Sequence, residues 1–210
     1  MTSQSALEIL ESIKHAVEPS GTPAPLEESN DAFPVLVSTV ISLRTRDAVT
    51  RIVSARTLQS VPDVKSMISI DIEELEKLLR PAGFFRQKAK QLKRTAEIIQ
   101  NRFEGKVPDN IDDLLSLPGV GRKTANFVLG MVFGKPAICV DIHVHRISNR
   151  LGLTQTSSPE KTELQLQKIF PPEYWTGINH IMVTFGQRIC KPIRPLCEIC
   201  PLNKSCPQKS

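Results

Sequence analysis

The stretch LLSLPGVGRKTANFVLG, residues 114–130, sets two apolar helical segments on either side of Pro118-Gly119-Val120-Gly121. Proline ends the first segment, because its ring clashes with the preceding turn and it has no N–H to donate. Gly119 and Gly121 allow backbone angles and close approaches that a Cβ forbids. The second helix then opens on an uncluttered surface, where its first N–H groups and the positive end of its dipole make a site for a phosphate. Such a contact reads no base, so it suits a protein that grips DNA at any sequence. Gly119, Val120, Gly121, Arg122 and Thr124 would line it. An ordinary link between two helices uses the same turn chemistry, and P-G-x-G alone does not separate the two readings.

Outward from this hairpin the apolar period of a helix recurs. Leu7, Ile9, Leu10, Ile13 and Val17 stripe a first segment that ends at Pro19, followed by a loop over Glu18–Leu26. Helical patterns follow at Asp31–Ser42, Asp47–Gln59, Asp71–Leu79, Phe85–Asn101, Ile111–Ser116, Arg122–Phe133, Ile142–Leu151, Pro159–Ile169 and Tyr174–Ile189. Asp47, Asp71, Asp141 and Ser158 stand where N-caps belong. Gly83, Gly105, Gly134 and Gly152 stand where helices stop. Pro136–Val140 is β-prone but too short to anchor a sheet, so the fold class is all-α.

The 210 residues carry a formal net charge of +5, which fits a polyanionic partner. Basic residues concentrate in the C-terminal tail (Arg188, Lys191, Arg194, Lys204, Lys209) and in Arg86, Lys88, Lys90, Lys93 and Arg94. The second run serves equally as a solvated helix face. Aromatic residues are 5%, which argues against a stacking platform for single strands. The N-terminus lacks a basic, apolar secretory pattern and no apolar run is long enough to span a membrane. The expectation is a soluble, intracellular protein whose five cysteines are ligands or buried thiols rather than disulfides.

Lys123 falls in the first turn of the second hairpin helix, where a cation opposes the dipole. Neighbouring Arg122, and burial in a cleft, would further favour the neutral amine that covalent catalysis at a sugar carbon requires. A surface lysine on a phosphate is the plainer reading. Asp141 opens VDIHVHRISNRLG, eighteen residues later, as an N-cap that satisfies orphan amides. His143 and His145 are two residues apart, so on a helix they diverge by about 200° and do not form a metal pair.

Cys190, Cys197, Cys200 and Cys206 give C-x6-C-x2-C-x5-C within seventeen residues. One compact loop with a single close pair suits a [4Fe–4S] cube, with Pro201 and Pro207 each following a ligand. Zinc is the alternative, although structural zinc usually takes two close pairs. The loop KPIRPL between the first two ligands would present Lys191 and Arg194 to phosphates. Cys139, in an apolar run, reads as a small buried hydrophobe.

From roughly residue 30 to 206 the chain resembles the helix-hairpin-helix superfamily of DNA glycosylases, and within it the iron–sulfur endonuclease III family. LPGVGRKTA (Leu117–Ala125), V-D-x-H-x-x-R and the cysteine spacing carry the resemblance. It implies that Lys123 is the nucleophile, that Asp141 is the catalytic carboxylate, and that His143 orients the catalytic loop or contacts phosphate. The four cysteines would hold a [4Fe–4S] cluster. The implied activity is a bifunctional glycosylase/AP lyase that removes damaged pyrimidines from duplex DNA. A monofunctional mismatch glycosylase, or a non-catalytic DNA-binding module with a structural metal, stays open as an alternative.

The departure lies at Ser42-Leu43-Arg44-Thr45-Arg46-Asp47, where typical bacterial members read S-A-Q-x-x-D with glutamine at the position of Arg44. In the family that residue fills the gap left by a flipped nucleotide, and Phe84 stands where many members place an intercalating leucine. Lesion and opposite-base preference are therefore open. The expected organisation is an N-terminal helix (1–27) packing with a cluster domain (136–210), and a helical barrel (28–135) carrying the hairpin, with the DNA cleft between. The protein would act as a monomer on damaged or abasic double-stranded DNA, in the cytoplasm with the nucleoid of a prokaryotic host.

Overall fold

The structure is a computed structural model that describes residues 2–17 and 31–208. The loop expected over 18–26 and the basic Lys209 lie outside the described residues. Eleven α-helices and no strand occur among the described residues: α1 (Ser3–Val17), α2 (Ala32–Ser42), α3 (Asp47–Ser60), α4 (Val64–Ser69), α5 (Ile72–Leu79), α6 (Phe85–Arg102), α7 (Ile111–Leu115), α8 (Arg122–Met131), α9 (Ile142–Arg150), α10 (Pro159–Ile169) and α11 (Trp175–Arg188). The all-α expectation holds. The chain divides into two compact units, Met1–Thr22 with Lys135–Ser210, and Pro23–Gly134.

In the Pro23–Gly134 unit, α2 is the central element. Val35 through Ile41 are buried on every face of it, as a helix enclosed by neighbours must be. It packs on α3, α6 and α8, while α4 and α5 close over α6 and α7 lies on α8. Asp31 caps α2 by accepting from the Phe33 N–H at 3.2 Å. α4 escaped the periodic reading because it is six residues long. A capping box starts it, with Asp63 accepting from the Ser66 N–H at 2.8 Å and Ser66 Oγ accepting from the Asp63 N–H at 3.2 Å. Asp47 is corrected as a cap: it is the first residue of α3, and Arg46 holds the cap position without a side-chain bond.

In the other unit α1 packs on α11, α11 on α9, and α10 on α9. Ala6, Leu10, Ile13 and Val17 recur along one face of α1 and meet Ile138, Val144, Ile147, Met182 and Phe185. Full burial of a side chain such as Ile13 contributes roughly 2 kcal/mol, so a charge there would open this core. Among the described residues no helix is long and apolar enough to cross a membrane.

Candidate active site

The hairpin follows α7 directly. Thr95 of α6 donates its hydroxyl to the Pro118 carbonyl at 2.9 Å and pins the turn. Gly119 is left-handed at φ 79°, and a Cβ there would stand 3.0 Å from the Gln91 side chain. Gly121 is extended, and nothing lies within 4 Å of the place a Cβ would take. The approach to the first turn of α8 is therefore open, and Gly121 supplies no side chain to cap it. Arg122 and Lys123 are exposed on that turn, so the burial expected for Lys123 is not found. Thr124 and Val120 depart from the expected lining. Thr124 is fully buried, its hydroxyl without a partner, so only its backbone would face a ligand. Val120 is 6% exposed with its N–H already donated to the Leu117 carbonyl at 3.1 Å, so it offers a phosphate no donor.

Asp141 caps α9. Its Oδ1 accepts the N–H groups of His143 and Val144, both at 2.9 Å, and among the described residues Oδ2 takes no hydrogen bond. One turn on, Arg146 places Nη2 3.2 Å from His143 Nδ1 and donates to the Cys190 carbonyl at 2.9 Å. Both side chains press on Gly186 of α11, where a Cβ would stand 2.5 Å from His143 Nδ1. His145 turns the other way and pairs with the Thr162 hydroxyl at 2.6 Å, a packed histidine.

α9 thus runs from Asp141 to the cysteine loop within one unit. At its far end Arg150 donates to the Lys191 carbonyl at 2.7 Å, to the Pro192 carbonyl at 2.9 Å, and to Cys190 Sγ at 3.6 Å. Cys190, Cys197, Cys200 and Cys206 are half-buried and line one small cavity with Leu151, Phe185, Ile189 and Leu196. Burial pushes the Cys200 thiol up, and the other three thiols beside it add to the effect. Among the described residues no three His, Cys, Asp or Glu converge on a point that a single metal ion would occupy. Four sulfurs around an apolar pocket are a donor set that fits an iron–sulfur group. Arg194, exposed and left-handed at φ 53°, and half-exposed Lys191 stand in the intervening loop. Cys139 is buried and lies outside the cavity lining.

Arg44 and Phe84, from the turns before α3 and α6, are brought together. Both are exposed and both are left-handed, at φ 52° and 57°, and the guanidinium lies 5.3 Å from the ring centroid. Two lysines of the expected basic face are corrected. Lys88 is buried against the backbone, where desolvation pulls its pKa down to about 8, and Lys93 donates to the Ile68 carbonyl at 2.8 Å. The sequence did carry a signal for the first: Lys88, Leu92, Thr95, Ala96 and Ile99 fall on one helical face, and the others are buried core. Arg146 and Arg150 went unassigned, although their spacing puts them on one face of α9.

Residues 37–172 match the family described as HhH-GPD superfamily base excision DNA repair protein. Endonuclease III of Thermotoga maritima is 47% identical over 179 residues, which cover 85% of this chain and 84% of that protein. Two solved structures share the fold with a TM-score of 0.91 at 35% identity, over 99% of this chain and 96% of theirs. One is a non-covalent Endonuclease III–DNA complex, the other a trapped Endonuclease III–DNA covalent intermediate with an estranged adenine. With the matched segment spanning more than half of its length, the chain belongs to the HhH-GPD superfamily of base excision DNA repair proteins.

Proposed function

We propose that the protein is a bifunctional DNA glycosylase and AP lyase that removes oxidised pyrimidines from duplex DNA and nicks the strand 3′ to the site. One observation carries this reading: the exposed Lys123 amine stands on the first turn of α8, directly behind a hairpin whose surface is open above Gly121. The similarity to endonuclease III, which has been trapped covalently on DNA, supports it. Chromosomal duplex as substrate would put the work at the nucleoid of a prokaryotic cytoplasm.

Flipping the damaged nucleotide out of the stack exposes its sugar. Lys123 Nζ, as the neutral amine, attacks C1′ while the bond from C1′ to the base breaks and the base leaves with the electron pair. Asp141 Oδ2, outside the helix cap, stabilises the electron-poor sugar and helps move the proton that Lys123 sheds. Ring opening gives a Schiff base between Lys123 and C1′. Loss of a C2′ proton then expels the 3′ phosphate. Gly119, Gly121 and Arg122, with the backbone of Thr124, would hold a phosphate; His143, Lys191 and Arg194 would hold others, and Arg44 and Phe84 would fill the gap in the stack. Cys190, Cys197, Cys200 and Cys206 would hold a [4Fe–4S] cluster, whose contribution is to fix the fold of the loop that carries Lys191 and Arg194.

A panel of duplexes containing thymine glycol, dihydrouracil, uracil, T·G and A·8-oxoguanine tests the reading when base release and nicking are measured separately. Release with nicking on thymine glycol and dihydrouracil is expected. Base release without nicking would replace it with a monofunctional glycosylase.

A further inference from the structure

The turn after α2 and the turn before α6 lie against each other within the Pro23–Gly134 unit. Each carries a non-glycine residue in the left-handed region, Arg44 and Phe84. Such backbone persists only where the surroundings over-determine it. Here the surroundings can be named. A Cβ on Gly83 would stand 2.5 Å from the Arg44 carbonyl oxygen, so only glycine lets the two backbones approach this closely. The Gly83 N–H donates to Thr45 Oγ1 at 3.2 Å.

Beneath both turns lies Lys88, one turn into α6 and 3% exposed. Its Nζ donates to the Ile41 carbonyl at 2.6 Å, the Leu43 carbonyl at 2.7 Å and Thr45 Oγ1 at 2.8 Å. Those three bonds use every N–H of the ammonium, and no carboxylate among the described residues pairs with it. Lysine is almost never buried without a partner, and packing alone would be met by Met or Leu. The ammonium therefore answers the carbonyls at the end of α2, where the helix dipole is negative. Thr45 closes the joint: its hydroxyl accepts from Lys88 and from Gly83, and donates to the Leu43 carbonyl at 3.3 Å.

We infer that Lys88 is a positioning residue, a buried latch that acts through Thr45 to lock the two turns together and present Arg44 and Phe84 to the duplex as one preformed wedge. The inference rests on the reading that these two side chains enter the DNA. A wedge already stacked needs no ordering when the nucleotide leaves the helix, so binding energy goes into unstacking the bases.

The test uses the full-length protein, with a thymine glycol duplex carrying 2-aminopurine beside the lesion. Lys88→Met and Thr45→Val should each slow single-turnover excision by about tenfold and shrink the 2-aminopurine rise, while cleavage of an abasic single strand stays within about twofold. Thr45→Ser, which keeps the hydroxyl, should restore wild-type behaviour, and that rescue separates the latch from general damage to the fold. Amide exchange at Gly83 in the DNA-free protein reads the latch itself and should quicken in Lys88→Met and Thr45→Val. Wild-type exchange and wild-type fluorescence in both variants would overturn the inference. Phe84→Ala reads the wedge separately: full fluorescence there would sink the DNA-insertion reading, while the exchange data still decide whether Lys88 holds the turns.

Discussion

Asp141 Oδ1 accepts the backbone N–H of Val144 at 2.9 Å, three residues ahead, while Oδ2 stays outside the cap. One oxygen of the carboxylate therefore does structural work, and the other is left for the role proposed for Asp141 at the sugar. Asp141→Asn retains a capping oxygen, so thermal melting should shift little. Single-turnover base excision should fall by at least about a hundredfold, because the charge is gone. Activity within a few-fold of wild type would reduce Asp141 to a helix cap.

Lys123 is exposed on the first turn of α8. Lys123→Gln should abolish borohydride trapping on abasic-site DNA and abolish nicking. Affinity for the same duplex, measured by filter binding, should stay nearly unchanged because phosphate contacts dominate binding. Trapping at the wild-type level would mean that another amine is the nucleophile.

The cysteine cavity makes a prediction about metal. Protein purified under nitrogen should be brown, with iron and acid-labile sulfide in a one-to-one ratio. Cys197→Ser should lower the metal content, whereas Cys139→Ser, outside the cavity lining, should leave it unchanged. Stoichiometric zinc in an iron-replete, anaerobic preparation would replace the cluster with a zinc site.

Burial lowers the Lys88 pKa to about 8 from 10.5. Between those values the unfolded chain keeps a proton that the folded chain has released. Stability from this group therefore rises with pH across that window. Lys88→Met takes away the titrating group and with it this dependence on pH. The stability of the wild type relative to Lys88→Met, from urea melts, should increase as pH goes from about 8 to 10.5 and be level below it. A difference that stays flat throughout would mean that burial does not perturb Lys88.

Features that act on their own backbone were legible in the sequence. Gly119 takes the left-handed angle its turn demands, and Asp71, Asp141 and Ser158 cap the helices they precede. Short-range punctuation of this kind needs no partner from elsewhere in the chain. Gly83 shows the limit: it was read as a helix stop, yet its φ is not positive, and its requirement is set by Arg44, far away in sequence. Lys88 is a sharper case, since the carbonyl it reaches at Ile41 is 47 residues earlier. Composition made it part of a basic face, and only the packing of α6 on α2 reveals a buried ammonium. α4 was missed because six residues give too little period, although its Asp63 cap was in plain view.

Arg44 carries the last prediction. Its guanidinium stacks over Phe84 at 5.3 Å and makes no hydrogen bond among the described residues, so the donor fork along its edge remains available. A planar fork matches the paired acceptors of guanine better than the mixed edge of adenine. With Phe84 wedged into the stack, that fork would meet the base left opposite the flipped lesion. Damaged pyrimidines opposite guanine should therefore be excised faster than the same lesion opposite adenine. One good bidentate pair is worth about 1–3 kcal/mol, which corresponds to a preference of roughly fivefold or more. Arg44→Gln should flatten the preference while leaving cleavage at a preformed abasic site intact. The measurement is single-turnover excision of thymine glycol opposite each of the four bases. Equal rates in the parent enzyme would leave Arg44 as a phosphate contact and remove it from base reading.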